Sequence, residues 1–155
     1  MSELKDRLRA DLTASMKARD TLRTSTLRMA LAALMTEEVA GSTARELTDA
    51  DVVTVLTREV RKRKEAAEAF DAGNRSELAD KERAESEIIG EYLPSQLDDA
   101  ELGALVDAAV AEVAESTGGA PTMRQMGQVI KSVQAKAAGR AEGGRIAAAV
   151  RSALG

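Results

Sequence analysis

"AKAAGRAEGGRIAAAV", residues 135–150, holds three glycines and two arginines and runs directly into an apolar helical pattern. Glycine-rich turns that open into helices often cradle phosphate, because the first N–H groups of a helix lack intrahelical partners and sit at its positive end. A cradle of either common nucleotide kind would make the fold α/β, since both place the turn after a strand. The order Gly139-Arg140-Ala141-Glu142-Gly143-Gly144-Arg145 matches neither G-x-G-x-x-G nor G-x-x-x-x-G-K-[ST], and the residues ahead of it keep helical spacing. The stretch reads as a corner between two helices. Gly139 closes the first with positive φ, and Gly143 and Gly144 permit a tight turn before the second. Arg140 and Arg145, beside the open N–H groups of the second helix, make a small cationic corner suited to a backbone phosphate. The plain alternative is a helix corner with two exposed arginines.

Working outward, the same helical spacing fills the chain. Leu4, Leu8, Leu12 and Met16 form an i, i+4 ladder, predicting a first helix over about residues 2–19. Asp20 caps a second, whose apolar face takes Leu27, Leu31, Leu34 and Met35 and which Gly41 stops. Thr48 and Asp49 open a long third helix through Val52, Leu56, Val60, Ala67 and Phe70, closed by Gly73. Asn74 stands three residues before Glu77, a capping-box spacing, for a fourth helix that continues to Tyr92 and breaks at Pro94. Asp98 with Glu101 opens a fifth helix that stops at Gly118-Gly119, and Thr122 with Gln125 opens a sixth. The seventh carries Ile146, Ala149, Val150 and Leu154. No window shows strand alternation bounded by turn residues. The expected fold is all-α: a four-helix N-terminal part over residues 1–97, then a small three-helix C-terminal domain over residues 98–155.

Composition removes most enzyme classes. The chain has no Cys and no His among its 155 residues. Disulfides, thiolate nucleophiles and zinc–thiolate sites fall away with the first; the commonest general base and metal ligand fall away with the second. No cofactor and no metal is expected. Hydrophobic residues reach 44% while aromatics are 1%, so the core must be built from Ala, Val, Leu, Ile and Met. The charged opening "MSELKDRLRADL" lacks the apolar segment of a signal peptide, and no run reaches the length of a membrane span. The expectation is a cytoplasmic protein.

The net charge of −4 argues against a general polyanion binder, but charge is unevenly spread. From Gly118 onward Arg124, Lys131, Lys136, Arg140, Arg145 and Arg151 face only Glu142, and the first 35 residues are also net basic. Such asymmetry can guide RNA to one end of a molecule; solvated helix faces are the plain alternative. The "RKRK" run, Arg61–Lys64, fans round its helix, with Glu59, Glu65 and Glu68 at hand and Glu68 within ion-pair reach of Lys64. It reads as a solvated, pair-laced surface.

"YLPSQL" (Tyr92–Leu97), "MGQVIK" (Met126–Lys131) and "GRAEGGRIAAAVRSAL" (Gly139–Leu154) together resemble the signature of the YqeY-like family. "RKRKEAAEAF" followed by "GNRSELADKERAE" sits in the expected place and order, so the resemblance covers nearly the whole chain. That family is related to the tail domain of the B subunit of the tRNA-dependent amidotransferase, GatB. The resemblance implies four helices followed by three, and a tail domain that contacts the body of tRNA while the chemistry takes place elsewhere. Carried over by motif, the tRNA-facing candidates are the MGQVIK segment and the GRAEGG turn, which holds Gly143, with Lys131, Arg140 and Arg145 as the cations; the basic charge of this end adds Arg124 and Lys136 as phosphate-positioning candidates. Gln128 stands where the family usually has lysine, and Lys131 where it usually has glycine, which moves positive charge three positions along the helix.

The resemblance also brings an association with carbon–nitrogen ligase activity using glutamine as amido-N-donor. Nothing in this chain performs that reaction alone: a glutaminase needs an activated nucleophile and the ligase an ATP site, and no serine here has a recognisable base beside it. The leading expectation is a non-catalytic protein that binds tRNA, or RNA of similar shape. Its alternatives are an adaptor docking an amidotransferase or aminoacyl-tRNA synthetase, and an enzyme using only the carboxylates Glu82, Glu85 and Glu87. The last competes with a solvated acidic face balancing Lys81 and Arg83.

Overall fold

The computed structural model describes residues 2–155. Among them every regular element is helical: α1 (Glu3–Lys17), α2 (Thr21–Glu38), α3 (Asp49–Ala72), α4 (Ser76–Gly90), α5 (Asp99–Thr117), α6 (Met126–Ala137) and α7 (Gly143–Leu154). A short 3-10 turn, Met123–Gln125, leads into α6. The chain divides into two compact units, Met1–Leu93 and Pro94–Gly155, carrying α1 to α4 and α5 to α7. The division falls before Pro94 rather than after residue 97. Leu97 is buried in the core of the second unit, and its N–H donates to the Arg140 carbonyl at 2.7 Å.

Local chemistry starts the helices of the first unit. Ser2, Asp20 and Thr48 each accept the N–H three residues on, satisfying one of the four donors that a helix start leaves open. Asp51 returns the bond to Thr48 and completes a capping box. The buried rows then meet: Leu8 of α1, Leu27, Ala30 and Leu34 of α2, Val52 and Leu56 of α3, and Ile89 of α4 form one core. Each buried Leu, Ile or Val contributes about 1.5–3 kcal/mol. Tyr92, just past α4, is the buried aromatic of this core. Its hydroxyl donates to Asp11, and the Arg7 guanidinium lies over its ring, 4.6 Å from the centroid. Burial first, then the hydrogen bond to Asp11, pushes the Tyr92 phenol well above its usual range.

Several expectations are corrected here. Asn74 does not cap α4: it takes a left-handed φ of 58° just past α3, a conformation its short polar side chain tolerates, and Arg75 stands at the α4 N-cap without a side-chain bond. Helix α2 ends at Glu38, ahead of Gly41, and α4 at Gly90, ahead of Tyr92. Met35, placed on the apolar face of α2, is 61% exposed. It follows Leu34 by one residue, about 100° round the helix, and so leaves the buried row. Met16, the last rung of the α1 ladder, is exposed as well.

The RKRK run is not wholly solvated. Arg63 is only 7% exposed, with Glu59 at 2.7 Å and Glu85 of α4 at 3.3 Å. Glu85 is 5% exposed, so α3 and α4 are joined by a buried ion pair. The expected Lys64–Glu68 pair does not form among the described residues, and Lys62 reaches Glu59 instead.

The second unit closes round Leu97, Leu102, Val106, Ala109 and Val113, with Val129 and Val133 of α6 and Ile146 and Val150 of α7. Asp98 caps α5 by accepting the Glu101 N–H at 2.7 Å, and Gly118, in the left-handed region at φ 79°, ends it. Thr122 and Gln125 form a capping box on the 3-10 turn.

Removing one partner of a buried ion pair strands the other charge. Arg63→Met should therefore lower stability by about 3–5 kcal/mol, and adding Glu85→Leu should recover most of that loss. Denaturant unfolding of both variants measures it; equal stability of the single and double variants would contradict the buried-pair account.

Candidate nucleic-acid interface

Helix α6 buries Val129, Val133 and Ala137, a row at four-residue spacing. That choice turns the opposite row outward. Gln128, Lys131, Gln134 and Ala135 are all exposed, and Arg124, on the preceding turn, is exposed seven residues before Lys131. Seven residues is close to two helical turns, which sets the two cations on one side. Neither forms an ion pair among the described residues. Gly127 is also exposed, with nothing within 4 Å of where a Cβ would stand, so this face is low as well as polar. Arg151, in the last turn of α7, is likewise exposed and without an ion pair.

The remaining cations of the unit are engaged internally. The Lys136 ammonium lies 2.5 Å from the Glu112 carboxylate, tying α6 to α5. That hydrogen bond, before the charge attraction between the two, holds the Glu112 carboxyl below its usual value. Arg140 and Arg145 grip the segment that leads into α5. The Arg140 Nε donates to the Ser95 carbonyl at 2.9 Å, and its Nη2 stands 3.4 Å from Glu101. Arg145 donates to the Leu97 carbonyl at 2.6 Å and to Asp99 at 2.8 Å. Asp98 is held below its ordinary carboxyl range chiefly by the Glu101 backbone N–H, with the charge of Arg145 among the smaller causes.

The corner itself is built differently from the sequence expectation. Ala138 and Gly139 both take left-handed φ, 49° and 81°, and together reverse the chain after α6. Gly143 and Gly144 do not form the turn: they are the first two residues of α7, and a Cβ on either would meet nothing within 4 Å. Glu142 stands at the N-cap without a side-chain bond, so the first N–H groups of α7 have no side-chain cap.

The six residues singled out by sequence thus divide. Arg124 and Lys131 share an open face, Lys136 is paired beside it, and Arg140 and Arg145 are turned onto the chain's own carbonyls and carboxylates. Gly143 lies at an uncapped helix start. Sequence reasoning missed the partners Ser95, Leu97, Asp99 and Glu101; the acids that follow "YLPSQL" were the available signal. Of the carboxylates weighed for catalysis, Glu85 is the buried partner of Arg63. Among the described residues no group of three or more His, Cys, Asp or Glu stands ready to hold a metal ion, and no helix is long and apolar enough to cross a membrane.

Comparison with known proteins gives the lineage. A protein of Lachancea thermotolerans named altered inheritance of mitochondria protein 41, mitochondrial, is 32% identical over 134 residues, spanning 84% of this chain and 68% of that one. An uncharacterized protein of Schizosaccharomyces pombe is 35% identical over 88 residues, 56% of this chain and 69% of its own. Residues 5–154 match the model of the YqeY-like proteins, and with the seven helices of the two units in place, the chain belongs to the YqeY-like family.

Proposed function

We propose that this protein binds tRNA, or RNA of similar shape, through its C-terminal three-helix unit and performs no chemistry on it. One observation carries the reading: Arg124 and Lys131 stand on one low, exposed face of the α6 region without an intramolecular counter-ion, while the cations around them are already paired. An unpaired surface cation releases counter-ions when it meets a phosphate, and it breaks no internal bond in doing so. Gln128 and Gln134 add neutral donors and acceptors between the cations. Arg151 and the open N–H groups at Gly143 offer further anion contacts.

The two aromatic rings of the chain take no part. Tyr92 is spent on Asp11 and Arg7, and Phe70 lies in the first unit. Base stacking is therefore absent, and recognition rests on backbone shape and the 2′-hydroxyls of an A-form surface. Arg140 and Arg145 act at one remove, as positioning residues that hold the lead-in to α5. Association with an amidotransferase or an aminoacyl-tRNA synthetase would follow from a shared tRNA rather than from a site of its own.

Binding of the full chain to deacylated total tRNA, followed by filter retention across a salt series, tests the reading. Affinity should fall steeply with salt. Arg124→Glu/Lys131→Glu should weaken it by at least about tenfold and flatten the salt slope by about 1–2, with the helical circular dichroism unchanged. Retention that is absent even at low salt, or equal in wild type and variant, overturns it.

Arg140→Ala/Arg145→Ala has a different expected signature. It removes charged hydrogen bonds to the Ser95 and Leu97 carbonyls and should cost roughly 1–3 kcal/mol of stability. Denaturant unfolding should show this shift without RNA present; no shift would mean the two arginines are free for a ligand after all.

A further inference from the structure

The three paired cations of the second unit are held in different ways. The guanidinium groups of Arg140 and Arg145 donate to the main-chain carbonyls of Ser95 and Leu97 as well as to carboxylates. Releasing either one leaves a backbone acceptor unmet. Lys136 has no such tie. Its ammonium donates to the Glu112 carboxylate at 2.5 Å and, among the described residues, to no main-chain carbonyl. Ser132, one turn earlier on α6, donates its hydroxyl to the same carboxylate oxygen at 3.3 Å. Two donors of α6 thus converge on one acid of α5.

This pair lies at the surface. The Glu112 side chain is 60% exposed and that of Lys136 31%. Beneath it α5 and α6 are already joined by Val106, Ala109 and Val113 against Val129 and Val133. An ion pair so placed adds little to stability and exchanges readily with other partners. Lys136 also stands at the edge of the outward face of α6. It follows the exposed Ala135 by one residue and Lys131 by five, which is about 7.5 Å along the helix axis.

Resting on the RNA-binding reading above, we propose that Glu112 withholds Lys136 from RNA and so limits the affinity of the α6 face. Arg124 and Lys131 supply the basal attraction; Lys136 is a third cation kept out of use. A phosphate approaching this edge meets Glu112 in two ways. The carboxylate occupies the ammonium, and its own exposed charge repels the incoming anion. Neutralising Glu112 removes both obstacles. The flexible four-carbon stem of Lys136 then lets the ammonium swing toward the outward face, a freedom that the Arg140 and Arg145 forks, each bound at two points, do not have.

Filter retention of deacylated total tRNA across a salt series tests this with four full-length proteins: wild type, Glu112→Gln, Lys136→Gln and the double variant. Glutamine keeps the size of Glu112 and still accepts the Ser132 hydroxyl, so circular dichroism should stay native. Glu112→Gln should tighten binding about three- to tenfold at low salt and steepen the salt slope by about 1, one further phosphate neutralised. Made in the Lys136→Gln background, the same change should leave the slope where it was and lose most of the gain. An equal gain in both backgrounds means that Glu112 acts only as a distant negative charge, and it overturns the proposal. So does Glu112→Gln that binds no tighter than wild type. If wild type is retained and Arg124→Glu/Lys131→Glu weakens it, such a result sinks this proposal alone; retention of none of the four proteins sinks the RNA-binding reading and this proposal with it.

Discussion

Both units are built under one constraint: a core with almost no aromatic side chains. Leu, Ile, Val and Ala pack well in helical rows, but each covers less area than a ring, and small cores leave helix ends and connections weakly held. Polar contacts make up the difference. Ser2, Asp20, Thr48 and Asp98 fix where helices begin. Arg63 and Glu85 join α3 to α4 from inside, and Tyr92 secures the end of α4 to α1 through Asp11. In the second unit Arg140 and Arg145 do the corresponding task, holding Ser95 to Glu101 against the turn before α7.

That economy shapes how the charges are to be read. A count of arginines and lysines in the C-terminal unit marks it as basic, yet half of the six cations there are neutralised by the chain's own acids. What is open to a partner is the remainder, Arg124, Lys131 and Arg151. Gln128 and Lys131 lie on the same outward row of α6, because the two positions are almost one turn apart.

The outward face of α6 is low and polar, and Lys131 on it has no ion pair among the described residues. The chain belongs to the YqeY-like family, and of the carboxylates weighed for catalysis Glu85 has a structural task as the buried partner of Arg63.

The sequence by itself determined the number and kind of the elements. Period-3.6 apolar rows, four side-chain caps and the Gly118 stop follow from bonding within a few residues, and such local chemistry is legible along the chain. So were the corner near Gly139 and the motifs that carry the family resemblance. Tertiary structure alone decided which charges remain free. Arg63 became a buried partner of Glu85, 22 residues away, and Arg145 a clamp on Leu97, 48 residues away. Nothing in their immediate neighbours encodes such pairs. It also decided that Met35 faces outward, since a one-residue step on a helix about 100° per residue separates core from solvent, and only the packed neighbours say which side is which.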